Sequence, residues 1–548
     1  MRVIQDFRPL ADSLEWTLQR TYYDRRGASA FFGGEVPFTA TSSGVLSRDA
    51  AAILDASLDA ASVRPVRCLE LGPGTGLFAK LLLDDLRRRS AQQGSARYER
   101  VTLILADSSR AMLDAIQSSG VLAGHAGRYE LVHSDPSRPA AAAGGQVHAV
   151  FLNYVLDSLP ASVVRRAPSG DGLEQLCART RVADGARLAD YTSLSFDELV
   201  SLAESAAGAS AGSAAGVVGM SSLADVYPAL VVDVRYEPVA ADDVPSVDAL
   251  LRALPERPGA TAVHSHGALD CLFGLSKSLG PGGFIMVNDF ASRGDRDGLE
   301  RARYPVYGGA VAIGLNFSQL DREVARWPGI SVHAPGAEEQ GLVARLLAAP
   351  GATRAVGCFE ERFDGGRVAA RGRAVERVVS LIDERRIDEA RGALQDAMAL
   401  SPGDWTLHQL AASFLAYVVR DREAARLECE AGLELNPLAV ELWNVLGDCE
   451  LHDRRLAEAM ACFTRAIELH PDDVHGRYNA AYVLSACGDH PGALRLIAEG
   501  LALDDGTYRE RLLAKQARVL ARLAARREAE QERALHRVRP VDGRPDAG

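Results

Sequence analysis

The stretch Cys68–Lys80, CLELGPGTGLFAK, constrains this chain more than any other. An apolar run ends in Glu70, three glycines follow at alternate positions, and an amphipathic run begins. That order reads as strand, tight turn, helix. A glycine-rich turn between a strand and a helix lets backbone N–H groups approach a ligand closely, because no Cβ stands in the way. The absent features narrow the ligand. A P-loop closes on Gly-Lys-Ser/Thr, and this turn does not. A dinucleotide fingerprint needs G-x-G-x-x-G, but here the glycines are Gly72, Gly74 and Gly76, with Leu77 where the third glycine or alanine would stand.

From Val63 to about Phe363 the text keeps alternating between strand-like and helix-like runs. VTLILAD (101–107), YELVHSD (129–135), HAVFLNYVLDSLP (148–160) and GGFIMVNDF (282–290) follow the first strand. Strands alternating with helices predict a parallel sheet covered on both faces. The expected fold class is therefore α/β, a Rossmann-like domain over 61–368. Residues 1–60 form an N-terminal lobe on the substrate side, with a helix within Leu10–Arg20. Two stretches break the alternation: the polar RRRSAQQGSARYER (87–100), and roughly 161–262, which contains SAAGASAGSAAG. Both are read as insertions at loops, the second as a candidate lid.

Beyond about 369 the texture becomes helical and repeats. Pro402, Pro437 and Pro471 lie 35 and 34 residues apart, and an alanine stands twelve residues before each, at Ala390, Ala425 and Ala459. The clearest unit contains Trp443, Leu446, Gly447, Ala459, Phe463, Ala466 and Pro471. This resembles the tetratricopeptide repeat, a helix–turn–helix unit of about 34 residues. An all-α domain of three to four repeats is expected over 369–506. A basic helical tail over 507–548 follows, read as a cap on the array, with RPVDGRPDAG at its end expected to be disordered.

Composition excludes some function classes. The formal net charge of −12, spread along the chain, argues against a general nucleic-acid binder. No segment approaches a membrane span. The eight cysteines include no C-x-x-C pair and no Cys/His cluster at zinc spacing, so no metal site is expected and reduced thiols in a cytoplasmic protein are.

An acidic residue followed by G-x-G-x-G resembles motif I of class I S-adenosylmethionine (SAM) methyltransferases. The resemblance implies SAM as cofactor, with Gly72, Gly74 and Gly76 against its methionine part and Glu70 near its ammonium group. Asp107, at the next strand end, can accept the ribose hydroxyls. Asp135, at the third, is placed by the resemblance near the adenine amine. A narrower resemblance, over about 20–290, is to the MidA-type methyltransferases, the family of mitochondrial complex I assembly factors. It rests on Tyr22, Tyr23, Gly33, Gly34, Phe38 and Thr39, on ELGPGTG (70–76), on Asn153, Asp157 and Pro160 in NYVLDSLP, and on GGFIMVNDF. It implies cofactor contacts from Thr39 and Asn153. The chain departs from the family in having Tyr154 where a glutamate is expected, Asn288 before Asp289, and the repeats.

Methyl transfer from a sulfonium is an in-line displacement, so the enzyme aligns the reactants and excludes water. A guanidinium or amine acceptor needs a carboxylate to orient it and take its proton. Asp157 is the first candidate, with Tyr154 beside it; a helix-start carboxylate is the competing role for Asp157. His264 and His266 in AVHSHGALD are further candidates for a general base, against a plain role as polar residues at a helix start with Ser265 as cap. The repeats point to a protein or peptide acceptor docked on them, methylated on nitrogen or oxygen. The alternatives are a small-molecule methyltransferase whose repeats serve homodimerisation, and a non-catalytic SAM-binding scaffold.

Overall fold

The computed structural model describes residues 2–32, 42–59, 64–135, 139–208, 223–292, 306–307, 310–311, 313–335, 342–363, 365–504 and 506–538. Gly33, Gly34, Phe38 and Thr39, part of the small-residue run after residue 208, and the terminal RPVDGRPDAG lie outside the described residues. The chain divides into two compact units, Met1–Asp404 and Trp405–Gly548.

The first unit carries the strands, which are β1 (Val3–Pro9), β2 (Val66–Leu71), β3 (Val101–Asp107), β4 (Tyr129–His133), β5 (Val147–Asn153), β6 (Ser162–Arg166), β7 (Leu173–Val182), β8 (Leu230–Val239), β9 (Thr261–His264), β10 (Leu279–Phe290), β11 (Val306–Tyr307), β12 (Ala310–Val311), β13 (Ser331–His333) and β14 (Leu342–Ala348). Seven of them form one sheet in the order β13-β14-β10-β5-β2-β3-β4. Neighbours are parallel except at β14, which runs antiparallel to both β10 and β13. The sheet is doubly wound and Rossmann-like. From β2 the chain moves outward through β3 and β4, then returns to place β5 on the other side of β2. Strand order thus reverses between β2 and β5, and ligands bind such folds outside the strands' carboxyl ends at that point. Burial explains the apolar runs: Leu69, Ile104, Val150, Phe151, Phe284 and Ile285 are all fully buried. Strands covered on both faces read as continuous apolar text rather than as alternation.

The polar stretch 87–100 is not an insertion at a loop. The helix Leu77–Gln93 runs through its first half, closes on Gly94 in the left-handed region, and a short helix Arg97–Arg100 follows. Its arginines face outward and pair back along the helix, Arg87 and Arg89 with Asp84 and Asp85. The second break is a second sheet. β7 pairs along its whole length with β8, and on its other side with β6 and then β1; β6 in turn pairs with β9, all antiparallel. Ile4 and Leu14 from the N-terminal region share a core with Val182, Leu188, Leu199 and Leu223. The first residues of the chain and the long insertion therefore fold together.

The second unit is helical, a tetratricopeptide-type array of hairpins. Arg422–Leu435, Val440–His452, Leu456–Leu469, Val474–Ala486 and His490–Leu503 pack as successive neighbours. The repeat residues perform packing tasks. A Cβ on Gly447 would lie 2.6 Å from the Phe463 ring, so only glycine lets the two helices of that hairpin close. Ala459, Phe463 and Ala466 are fully buried, and the Trp443 indole N–H donates to Pro437 O at 2.9 Å. Two helices of repeat-like text, Gly365–Asp383 and Ile387–Leu400, belong to the first unit, so the division falls later than the change in texture. The basic tail forms the helix Arg509–Val538, which buries Leu512 and Val519 and donates from Lys515 Nζ to Tyr478 O at 2.8 Å.

Candidate active site

A cavity of about 190 Å³ opens where the strand order reverses. Its walls come from four places: Tyr23, Phe31 and Ser42 from the N-terminal region; Glu70 to Thr75 and Phe78 from the glycine turn; Ala106 to Ser108 and Met112 from the end of β3; and Asn153, Tyr154, Val155 and Ser158 from the end of β5.

The turn needs its glycines. Gly72, Gly74 and Gly76 have φ of +68°, +54° and +77°, the left-handed region that costs an L side chain about 1 kcal/mol or more. A Cβ on Gly72 would reach within 2.6 Å of a Val155 methyl, and one on Gly74 would come within 3.2 Å of the Phe31 ring. Gly72 N–H donates to Ala106 O at 2.8 Å, which ties the turn to the end of β3.

Glu70 is buried at the carboxyl end of β2. Its Oε2 has no hydrogen-bond partner among the described residues. Burial, with Asp107 nearby, pushes its carboxyl up to about 8. Asn153 Oδ1 accepts from Asn288 Nδ2 at 2.9 Å, while Asn153 Nδ2 is buried without a hydrogen-bond partner among the described residues. Asp107 Oδ1 accepts the Ser109 N–H at 2.8 Å; burial nonetheless raises its carboxyl to about 6. Tyr23 stacks on Phe31, ring centroids 5.8 Å apart. Burial and the charges of Asp157 and Asp107 keep its phenol protonated well above the usual range.

Tyr154 has φ +54°, rare for a bulky residue, and its ring lies 4.7 Å from that of Phe290. Asp157 follows in a short 3-10 turn and is buried; burial pushes it up to about 7. It is not itself in the cavity wall, although Val155 and Ser158 on either side of it are.

The other candidates stand elsewhere. Asp135 follows β4 and is not among the cavity-lining residues. His264 ends β9, where Nε2 donates to Pro245 O at 2.6 Å and Nδ1 accepts from Gln319 Nε2 at 2.7 Å. His266 begins the helix His266–Ser276; burial, then His264, lowers it to about 4. Neither histidine lines the cavity. Thr39 lies outside the described residues. Sequence reasoning did not single out Phe31, Ser42, Ser108, Met112 or Ser158, or any site role for Tyr23 and Asp289. The last two had a signal, in the tyrosine pair and the Asp-aromatic strand end of the family resemblance.

The donor set can be tested against SAM. An unpartnered buried carboxylate oxygen suits an ammonium group, an unpartnered amide N–H suits a carboxylate, and Asp107, in the cavity wall, is an acceptor of the kind a ribose hydroxyl needs. Tyr23, Phe31, Phe78 and Tyr154 supply ring faces of the kind that attract a cation such as a sulfonium. The residues present fit the cofactor.

No family model matches the chain, and no curated protein matches it. Among solved structures, an uncharacterized protein of the COG1565 superfamily from Burkholderia thailandensis is similar at 16% identity over 64% of this chain and 90% of that one, with a TM-score of 0.41. PilF of Pseudomonas aeruginosa is similar at 19% identity over 30% of this chain and 74% of that one, with a TM-score of 0.26. YrrB, described as a TPR protein with an unusual peptide-binding site, is similar at 16% identity over 30% of this chain and 79% of that one, with a TM-score of 0.24.

Proposed function

We propose that this chain is a SAM-dependent methyltransferase that acts on a nitrogen, or an oxygen, of a protein or peptide held by the helical repeats. One observation carries the reading. At the point where strand order reverses, the glycine turn, the unpartnered Glu70 Oε2, the unpartnered Asn153 Nδ2 and Asp107 converge on one cavity. A buried carboxylate with no partner costs a few kcal/mol, so it calls for a ligand that compensates it.

In this reading Glu70 holds the ammonium group and Asn153 the carboxylate of the methionine part. The positive-φ glycines bring backbone against the ligand, and Asp107 takes the ribose. The bound cofactor supplies an activated methyl group. The aromatic walls of the cavity exclude water from it. Asp157, behind the turn that lines the acceptor side, orients the acceptor or receives its proton. A peptide acceptor is supported by the second unit. There the half-exposed Tyr417 donates to Asp448 at 2.7 Å, Asn479 donates to the same carboxylate at 2.6 Å, and Tyr482 is 49% exposed. Such faces of helical arrays hold extended peptides. A cytoplasmic setting belongs to the same reading. Among the described residues no helix is long and apolar enough to cross a membrane.

Calorimetry of the full chain with SAM tests the reading. The expected result is one site per chain, lost in Glu70→Gln. Absence of SAM binding by the folded chain would refute the enzyme reading.

A further inference from the structure

The stretch Tyr154–Ser158 carries the acceptor side of the cavity, yet little holds it from within. It contains a residue at positive φ and a single short 3-10 turn, Leu156–Ser158, that is closed by bonds of 3.2 Å. Within it Ser158 Oγ donates to Val155 O at 2.6 Å, from outside the Ile313 N–H donates to Asp157 O at 3.1 Å, and the end of β10 supplies the rest of its hold. Asn288 O accepts the Tyr154 N–H at 3.0 Å. Asp289 Oδ2 accepts the N–H groups of Leu156 at 2.9 Å and Asp157 at 3.3 Å, and its Oδ1 accepts the Phe290 N–H at 2.8 Å.

Asp289 is fully buried and Asp157 nearly so. Among the described residues, no lysine, arginine or histidine forms an ion pair with either. The elements packed around them contribute His266, Asp270 and Cys271 from the helix His266–Ser276, Arg345 from β14, and Tyr23, whose phenol feels the charge of Asp157. Tyr23 stays a neutral phenol, His266 is held neutral by burial, and the Arg345 guanidinium is taken by Asp321 at 2.9–3.1 Å.

We infer that Asp289 is a positioning residue for the acceptor side of this cavity: it pins the Leu156–Ser158 turn through two main-chain N–H groups, and its burial beside Asp157 makes it costly for the two carboxyls to ionise together. The purpose of the pair rests on the methyltransferase reading; its geometry does not. Two neighbouring buried carboxylates with no cation ionise together only at a cost, so the second proton leaves only at raised pH. That proton belongs to the pair rather than to either residue. The direction agrees, since burial raises both acids and Asp157 raises Asp289 further. A pair that changes protonation near neutrality can accept or return a proton as an acceptor nitrogen changes its own.

Infrared titration of the full chain reads this without an acceptor. The chain is labelled with carbon-13 at its aspartate carboxyls, which sets Glu70 apart, and carries Asp107→Asn, which removes the other raised aspartate of the cavity. The expected result is a buried aspartic-acid carbonyl band that persists at neutral pH, with a loss midpoint well above the ordinary carboxylate range. Adding Asp289→Asn should move that midpoint down by at least about one pH unit, a tenfold change in the proton equilibrium. Adding Asp157→Asn should do the same for the carboxyl that remains. An unmoved midpoint in either variant, or a parent chain with no such band above the ordinary carboxylate range, would overturn the inference. If one variant fails to fold, by near-ultraviolet circular dichroism, the other decides. A SAM titration of the same samples keeps the two ideas apart. Shifted midpoints without SAM binding would retain the pair and refute the methyltransferase, while SAM binding with unmoved midpoints would do the reverse.

Discussion

The cavity of the first unit and the helical array bury acidic side chains in opposite ways, although Asp55 and Asp85, elsewhere in the first unit, pair with Arg97 and Arg89. In the first, Glu70 and Asp107 line one cavity, Asp157 and Asp289 lie behind the wall formed after β5, and burial raises every one of them. In the second, Glu450 and Asp473 are answered. Glu450 accepts from Arg426 at 2.8 Å and from Arg455; burial works to raise it, but those bonds hold it below the usual carboxylate range. Asp473 accepts from Asn444 Nδ2 and the Gly476 N–H, both at 3.0 Å. The cavity acids, which no cation answers among the described residues and main-chain N–H groups answer only in part, weaken their own fold at neutral pH, and the arginine-paired one supports its own. Carboxylates left uncompensated together are what a site waiting for a cationic ligand looks like, and paired ones are what a scaffold looks like.

The largest expected effect breaks the first unit's side of this contrast. Gly74→Arg places a side chain at φ +54°, with its Cβ 3.2 Å from the Phe31 ring. SAM binding should disappear by calorimetry while circular dichroism keeps its helix and sheet signal. A folded Gly74→Arg protein that binds SAM as well as the parent would remove the turn from the site.

Next comes the pH dependence of stability. Glu70 is raised to about 8 in the folded chain, so between the unfolded value and that pH the folded state holds more protons. Its contribution is therefore complete below the unfolded value and is lost as pH rises through about 8; Asp107 and Asp157 act likewise through about 6 and about 7. In scanning calorimetry, the transition of the first unit should move down by several degrees from pH 5 to pH 8. Glu70→Gln should reduce that slope and raise the transition at pH 8. A slope unaltered by Glu70→Gln would show that its carboxyl is compensated after all.

These contrasts also mark what could be read from the sequence. The glycine turn, Glu70 and Asp107 were readable because a turn forced by φ and a strand-end carboxylate are local signals. The repeats were readable because each helix packs on its neighbour, so Gly447 and Phe463 meet within one hairpin. The second sheet was not. LEQLCARTRV mixes charged, polar and apolar residues in a strand that has no exposed residue, and its partners β1 and β8 lie far along the chain. The bond from Asp289 to the turn before Asp157 spans 132 residues, and no spacing announces it. The histidine pair misled for a related reason: two histidines at a helix start look functional, yet Gln319 and Pro245, distant in sequence, bind His264.

A moderate effect is expected where an answered acid is altered. Glu450→Gln removes the charge from a carboxylate held by two arginines, leaving Arg426 and Arg455 to compete for a weaker acceptor. The loss should be about 1–3 kcal/mol, read as a lower transition for the second unit at neutral pH. Because its folded value is depressed, the parent's advantage is present above the unfolded value and vanishes as pH falls through the folded one. Equal stability of variant and parent at pH 7 would reduce this bridge to a solvated surface pair.

The smallest expected effect is the most discriminating. All the cavity-lining residues lie between Tyr23 and Ser158, within the first unit. A chain ending at Asp404 should therefore bind SAM within about a factor of two of the full chain, since nothing beyond that residue contributes to the lining. If the second unit docks the acceptor, methylation of a native peptide should suffer through a higher KM at nearly constant kcat, because docking far from the reacting atoms binds ground and transition states alike. Asp157→Asn in the full chain should give the opposite pattern, an unchanged KM with a reduced kcat. A truncated chain that methylates its acceptor as well as the full chain at low concentration would strip the repeats of a docking role. A truncated chain that loses SAM affinity would instead deny the separation of the two units, and with it the assignment of the unanswered acids to the cavity alone.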